Sequence, residues 1–121
     1  MPKVLLAEDD ETMVGLLTTL LRLDGFQVQA LDADEDIVAA VQRHGPEVLL
    51  LDVYLAGQNG LDVLEAIRAS DGDHRVRVIM TSGLNLREES MRRGADGFLL
   101  KPFMPDDLMR MLHNNTKQSH A

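Results

Sequence analysis

Short apolar runs alternate with longer segments of helical period along this chain. The five runs of strand length are residues 4–7, Gln27–Ala30, 48–51, 76–80 and 98–100. Most of these runs are apolar throughout, which is typical of strands buried on both faces. The pattern therefore predicts five buried strands.

Segments with apolar residues three and four positions apart separate these strands. The predicted helices are residues 11–24, a segment from Asp34 or Asp36 to His44, a segment after the 56–60 loop, residues 85–93, and a segment that begins near Pro105 and runs to about His113. Five βα units predict an α/β fold with a doubly wound parallel sheet. We expect residues 1–121 to form a single domain, with 114–121 as a polar, frayed tail.

Composition narrows the classes of function. The formal net charge is −8, which argues against direct binding to nucleic acid and suits a positively charged partner or metal ion. The chain contains no cysteine, so disulfides and thiol chemistry are excluded. No run of apolar residues has the length of a signal peptide or a membrane span, and we therefore expect a cytoplasmic location and no membrane partner.

Polar residues follow four of the predicted strands where each strand ends. In sheets of this kind the functional site lies beyond the carboxyl ends of the strands. The residues that this rule collects are Glu8, Asp9, Asp10, Asp52, Thr81, Ser82 and Lys101. Several acidic side chains at one sheet edge repel each other unless a positive charge lies among them.

Mg²⁺ is the cation that these acidic groups suit, because it takes carboxylate and carbonyl oxygens as ligands. Asp9 and Asp52 are the expected direct ligands, with Glu8 nearby or acting through water and the main-chain carbonyl of Tyr54 as a further ligand. A carboxylate beside Mg²⁺ also acts as a nucleophile towards phosphorus.

Lys101 would bring a positive charge to a phosphoryl oxygen, and a hydroxyl after the fourth strand would donate a hydrogen bond. Thr81 and Ser82 compete for that role, and Ser82 is favoured because Thr81 then completes the strand. Asp10 has two open roles, as a member of the acidic site or as the cap of the first helix.

The motifs at the strand ends resemble those of bacterial response regulator receiver domains over the whole chain. They are Leu5–Asp10, Leu50–Asp52 with Gly57 and Gly60, Thr81–Gly83, and Gly94–Phe103. The resemblance implies a flavodoxin-like sheet with strand order 2-1-3-4-5. It also implies that Asp52 accepts a phosphoryl group from the phosphohistidine of a sensor histidine kinase or phosphotransfer protein, and that a downstream protein target binds in response.

Further roles follow from the resemblance. Glu8 and Asp9 match the acidic Mg²⁺ pair, Lys101 matches the invariant lysine, and its bond to Pro102 is expected to be cis. Ser82 and Phe98 take the positions of the hydroxyl and aromatic switch residues, whose movements remodel the surface of the last units. We expect a signalling domain that is a monomer or weak dimer and has no enzymatic activity beyond self-phosphorylation and autodephosphorylation at Asp52.

Three departures from the family pattern are visible. Ala56 stands where the family usually has proline, so the loop after Asp52 is expected to be less rigid. Tyr54 is a large residue two positions after Asp52, where side chains screen an acyl phosphate from water. The interval from Ser82 to Lys101 is about one helical turn shorter than in the family, which predicts a shortened fourth helix.

Other interpretations remain open. Met13 and Leu16 on the first helix, together with Met104, either dock a kinase or form ordinary core with a few exposed residues. A degenerate receiver that acts as a phosphorylation-independent docking module is the main alternative function. An aspartyl-phosphate phosphohydrolase is disfavoured because Tyr54 stands where such an enzyme has its second Asp.

Overall fold

The computed structural model describes residues 2–32, 34–72 and 74–118. The strands are β1 (Lys3–Ala7), β2 (Gln27–Ala30), β3 (Val48–Asp52), β4 (Tyr54–Leu55), β5 (Gln58–Asn59), β6 (Arg77–Ser82) and β7 (Gly97–Leu100). The helices are α1 (Glu11–Leu23), α2 (Ile37–His44), α3 (Gly60–Ser70), α4 (Arg87–Arg92) and α5 (Pro105–Gln118).

Five of the strands form one parallel sheet, in the order β2-β1-β3-β6-β7. The predicted α/β architecture and strand order are therefore confirmed. The short strands β4 and β5 form a separate antiparallel hairpin directly after β3, in a segment that the sequence indicated only as a loop.

Successive side chains of a strand point to opposite faces of the sheet, and each face has its own buried core. Leu49, Leu51, Val78, Met80 and Phe98 pack under α2 and α3. Val48, Leu50, Ile79 and Leu99 pack under α1 and α5. This alternation decides which residues at the strand ends share a face.

Side chains cap the first turns of α1, α2 and α3 and satisfy free backbone N–H groups there. The Asp10 side chain accepts from the N–H of Met13 at 3.1 Å, so it caps α1, one of the two roles left open for it. Asp36, rather than Asp34, caps α2.

The fourth helix is short, as predicted, with only the six residues Arg87–Arg92. Leu86 precedes it without a side-chain cap, and Asn85 accepts instead from the N–H of Arg87 at 3.3 Å. The backbone of α5 continues past His113 to Gln118, further than the apolar pattern indicated. Residues 119–121 of the predicted frayed tail lie outside the described residues.

Candidate functional site

An ion-paired cluster lies at the carboxyl ends of β1, β3 and β7. The ammonium Nζ of Lys101 lies 2.7 Å from Asp52 Oδ2 and 2.9 Å from both carboxylate oxygens of Glu8. Asp52 and Glu8 are buried, with 6% and 9% of their surfaces exposed. The structure thus brings together three residues that the sequence placed at different strand ends.

The carboxylate of Asp52 is held through both of its oxygens. Oδ1 accepts from the N–H of Tyr54 at 3.2 Å, while Oδ2 accepts from Lys101. The start of α3 packs closely against the end of β3, where the N–H of Gly60 donates to Val53 O at 2.7 Å. A Cβ at Gly60 would collide with the main-chain oxygen of Asp52, so this approach requires glycine.

Burial and ion pairing act against each other on the pKa values of this cluster. For Glu8, burial is the largest influence and raises the pKa, while the hydrogen bond from Lys101 lowers it and the Asp52 charge raises it again. For Lys101, burial alone would lower the pKa, but the hydrogen bonds and charges of Asp52 and Glu8 outweigh it, so the pKa is raised. Lys101 is therefore a fixed positive charge at neutral pH.

The two candidate hydroxyls lie on opposite faces of β6. Thr81 pairs in register with Asp52 and so shares its face, whereas Ser82 shares the face of Met80. The Ser82 hydroxyl accepts from the N–H of Leu84 at 3.0 Å, within the loop that leads to α4. Thr81 Oγ1 is buried and has no hydrogen-bond partner among the described residues. The strand register therefore places Thr81 on the face of Asp52, and the choice of Ser82 as the phosphoryl-binding hydroxyl stays a prediction.

Asp9 lies at the edge of the cluster and bonds elsewhere. Its Oδ2 accepts from the main-chain N–H of Ala56 at 2.9 Å, in the turn of the β4–β5 hairpin. The side chain of Tyr54 on β4 is 56% exposed.

The donor set suits a hard divalent cation in its chemistry, since carboxylate and carbonyl oxygens are its preferred ligands. As the side chains lie, no three acidic or histidine groups in the described part of the chain are gathered closely enough to share an ion. In this arrangement Lys101 bonds Glu8 and Asp52, and the Ala56 N–H bonds Asp9. An ion at this edge would have to replace some of these contacts.

Phe98 is buried in the core on β7, with 1% of its surface exposed. The guanidinium carbon of Arg87 lies 5.8 Å from the centre of its ring, and Arg87 Nη2 donates to Phe98 O at 3.3 Å. The first residue of α4 therefore covers the residue in the aromatic switch position. The peptide bond between Lys101 and Pro102 is cis, as the resemblance implied.

The three residues suggested for docking lie on the α1 and β7–α5 side of the domain. Leu16 and Met104 are exposed, at 49% and 66%, while Met13 is half-buried against the core. Among the described residues, no helix is long and apolar enough to cross a membrane.

Sequence reasoning missed the shared face of Thr81 and Asp52, the contact of the Ala56 amide with Asp9, and the contact of Arg87 with Phe98. The first depends on strand register and the second on a main-chain group, and neither leaves a mark in the residue types. The sequence showed a basic residue, Arg87, soon after the strand that became β6, but nothing in its position indicated an aromatic partner on β7.

Comparison with known proteins agrees with this geometry. A family model described as the response regulator receiver domain matches residues 4–113. The chain is 31% identical over 110 residues to the DNA-binding response regulator MtrA of Mycobacterium tuberculosis strain H37Rv, which covers 88% of this chain and 47% of that protein. It is 35% identical over 130 residues to the transcriptional regulatory protein CpxR of Escherichia coli K12, covering 99% of this chain and 51% of that protein. The chain thus spans about half the length of these relatives.

Solved structures give the same result for the fold. The receiver domain of Francisella response regulator 1452 superposes with a TM-score of 0.84 at 24% identity, covering 98% of this chain and 99% of that one. The signal receiver domain of a LuxO repressor protein from Vibrio parahaemolyticus has a TM-score of 0.84 at 25% identity, with coverages of 98% and 92%. The chain belongs to the response regulator receiver domain family.

Proposed function

We propose that this domain accepts a phosphoryl group on Asp52 and passes the change to a protein partner. The observation that carries the proposal is the contact of 2.7 Å between Asp52 Oδ2 and Lys101 Nζ at the buried edge where the strands end. A carboxylate that is held through both oxygens and paired with a lysine is oriented as a nucleophile.

In the proposed transfer Asp52 is the nucleophile and a phosphohistidine is the donor. A carboxylate oxygen of Asp52 forms a bond to phosphorus, and the bond from phosphorus to the imidazole nitrogen of a phosphohistidine breaks, leaving its electron pair on that nitrogen. Lys101 stays paired with the new acyl phosphate and offsets the charge of its oxygens. The Thr81 hydroxyl, which is buried and unpartnered among the described residues, donates to a phosphoryl oxygen.

Mg²⁺ is the cofactor that suits these donors, held by Asp9 and Asp52 with the main-chain carbonyl of Tyr54 and with Glu8 at the edge of the site. When bound, it neutralises charge that develops on the transferring group. Lys101 provides a positive charge at two of these carboxylates, Glu8 and Asp52.

The response would be transmitted through α4 and β7. Lys101 N donates to Ser82 O at 2.8 Å, and the loop from Ser82 leads directly into α4, so a change at the site reaches this helix within a few residues. Phe98 already lies inward beneath Arg87. Because α4 is only six residues long, its packing depends on such contacts rather than on the helix itself.

The partners are a sensor histidine kinase or phosphotransfer protein and a downstream protein target. The exposed apolar side chains of Leu16 and Met104 offer a surface for the former, with Met13 beside them. A net charge of −8 disfavours direct contact of this domain with nucleic acid, and we propose that it acts as a monomer or weak dimer.

The test is incubation with Mg²⁺ and acetyl phosphate, followed by intact mass, and with beryllofluoride, followed by backbone chemical shifts. We expect one phospho-adduct in the wild-type protein and none in Asp52→Asn, which preserves the shape of the side chain. An adduct that persists in Asp52→Asn would place the acceptor elsewhere. Absence of both an adduct and any shift in the wild type would favour a phosphorylation-independent docking module.

A further inference from the structure

The main-chain amide of Ala56 makes an unusual contact with one of the acidic residues of the site. Its N–H donates to Asp9 Oδ2 at 2.9 Å, between residues 47 positions apart. Ala56 lies in the turn of the hairpin, where Leu55 pairs with Gln58, so its N–H is not used by the strand pairing. The bond therefore serves Asp9 rather than the hairpin.

This donor exists because position 56 is alanine. Proline, the residue usual in the family at this position, has no N–H. The sign of φ does not bar proline here, since Gly57 has a φ of 77° and no described non-glycine residue, Ala56 included, has a positive φ. A turn of that kind places proline readily at its second position. The main consequence of alanine here is thus the hydrogen bond itself.

We propose that the Ala56 amide competes with the metal ion for Asp9 and thereby sets the affinity of the site for Mg²⁺. The inference rests on the proposed function, which supplies the ion. A carboxylate oxygen that accepts an N–H has less charge and fewer lone pairs to offer a cation. Among the described residues Asp9 accepts this bond while Lys101 pairs with Glu8 and Asp52, and no three acidic groups lie close enough together to share an ion.

The competition also couples the ion to the hairpin. When Asp9 turns to the ion, the Ala56 amide loses its partner, and the hairpin loses a link to the start of α1. The same hairpin begins with Tyr54, whose N–H bonds the acceptor Asp52. The coupling is reciprocal. If Mg²⁺ weakens the contact between the hairpin and Asp9 by some factor, then any interaction that strengthens this contact weakens Mg²⁺ binding through the same coupling free energy.

The affinity for Mg²⁺ provides the first test. Tyr54 is the only tyrosine and the chain has no tryptophan, so tyrosine fluorescence reports from the site alone. We expect Ala56→Pro to tighten Mg²⁺ binding by roughly three- to thirtyfold, the range for losing a partly exposed hydrogen bond to a charged acceptor. Ala56→Ser keeps the N–H and should match the wild type within about twofold on the same grounds. Equal or weaker Mg²⁺ binding by Ala56→Pro would overturn the proposal.

Hydrogen exchange of the Ala56 amide provides a second test that needs no variant. We expect this amide to be protected in the metal-free protein and to exchange faster when Mg²⁺ is saturating. Protection that Mg²⁺ leaves unchanged would show that Asp9 keeps the bond, and the proposal would fail.

The two proposals fail in different ways. Suppose that the protein binds Mg²⁺ and shows both responses at Ala56 but forms no adduct with acetyl phosphate or beryllofluoride. This result would support the role of the Ala56 amide and contradict the phospho-acceptor function. If the adduct forms at Asp52 while Ala56→Pro and Ala56→Ser bind Mg²⁺ equally well, only the role of the Ala56 amide is contradicted.

Discussion

Arg68 on α3 forms hydrogen bonds with the turn that precedes β7, and its removal should lower the free energy of unfolding substantially. Its guanidinium group donates to Gly94 O at 2.8 Å, Val76 O at 2.8 Å, Asp71 Oδ2 at 3.0 Å and Asp96 Oδ2 at 2.8 Å. The side chains of Arg68 and Asp96 are only 15% and 19% exposed. Arg68→Met keeps the length of the side chain but removes all four bonds, while Asp96 keeps its bonds from Arg75 and from the N–H of Val78.

The expected loss is about 3–5 kcal/mol, because several acceptors each lose a charge-assisted hydrogen bond worth roughly 1.5–3 kcal/mol. That is a large share of the roughly 5–15 kcal/mol by which such domains are stable. Arg75→Met is the matched control, since Arg75 bonds the same carboxylate of Asp96 at 2.7 Å but is 52% exposed. An exposed pair of this kind contributes about 0–1 kcal/mol.

Urea unfolding of both variants measures the difference, with unchanged dependence on denaturant as the sign that both remain two-state. If Arg68→Met loses no more stability than Arg75→Met, the contacts of Arg68 do not carry the energy assigned to them. A double-mutant cycle with Asp96→Asn would then show whether the two side chains are coupled at all.

Three further predictions concern the site. Thr81→Ala should weaken beryllofluoride binding by roughly tenfold or more, the effect of losing a hydrogen bond to a charged group, whereas Ser82→Ala should change it little; the reverse order in a titration would restore Ser82 to the role. Tyr54→Asn should shorten the lifetime of the acyl phosphate, because a large side chain no longer screens it from water, and equal lifetimes in the two phosphoproteins would contradict this. The pKa of Glu8 is raised above 4.5, chiefly by burial, so the native state binds more protons than the unfolded state just above that pH. Glu8 therefore makes stability fall as pH rises from 4.5 through the raised pKa, and Glu8→Gln should remove this fall when urea midpoints are compared across pH.

Strand positions and strand ends were predictable because they depend on local residue types. A charged residue directly after an apolar run marks the end of a buried strand, and parallel strands bring their carboxyl ends to one edge of the sheet. These two rules were sufficient to place Glu8, Asp52 and Lys101 together before any contact was known. The contacts of Arg68 with Gly94 and Asp96 were not predictable in this way, because they join residues more than twenty positions apart and depend on how α3 docks.

The choice between Thr81 and Ser82 shows most clearly what the sequence could not decide. In a strand with one face in water, alternating polar residues reveal which side chains share a face. In β6 both faces are buried, so Val78, Ile79 and Met80 are all apolar and the alternation leaves no trace. The pairing of Thr81 with Asp52 across the sheet shows which face each of the two side chains occupies. Burial on both faces, the property that identifies the strand so easily, is therefore also the property that hides its orientation, and the comparison of Thr81→Ala with Ser82→Ala tests which face of β6 supplies the phosphoryl-binding hydroxyl.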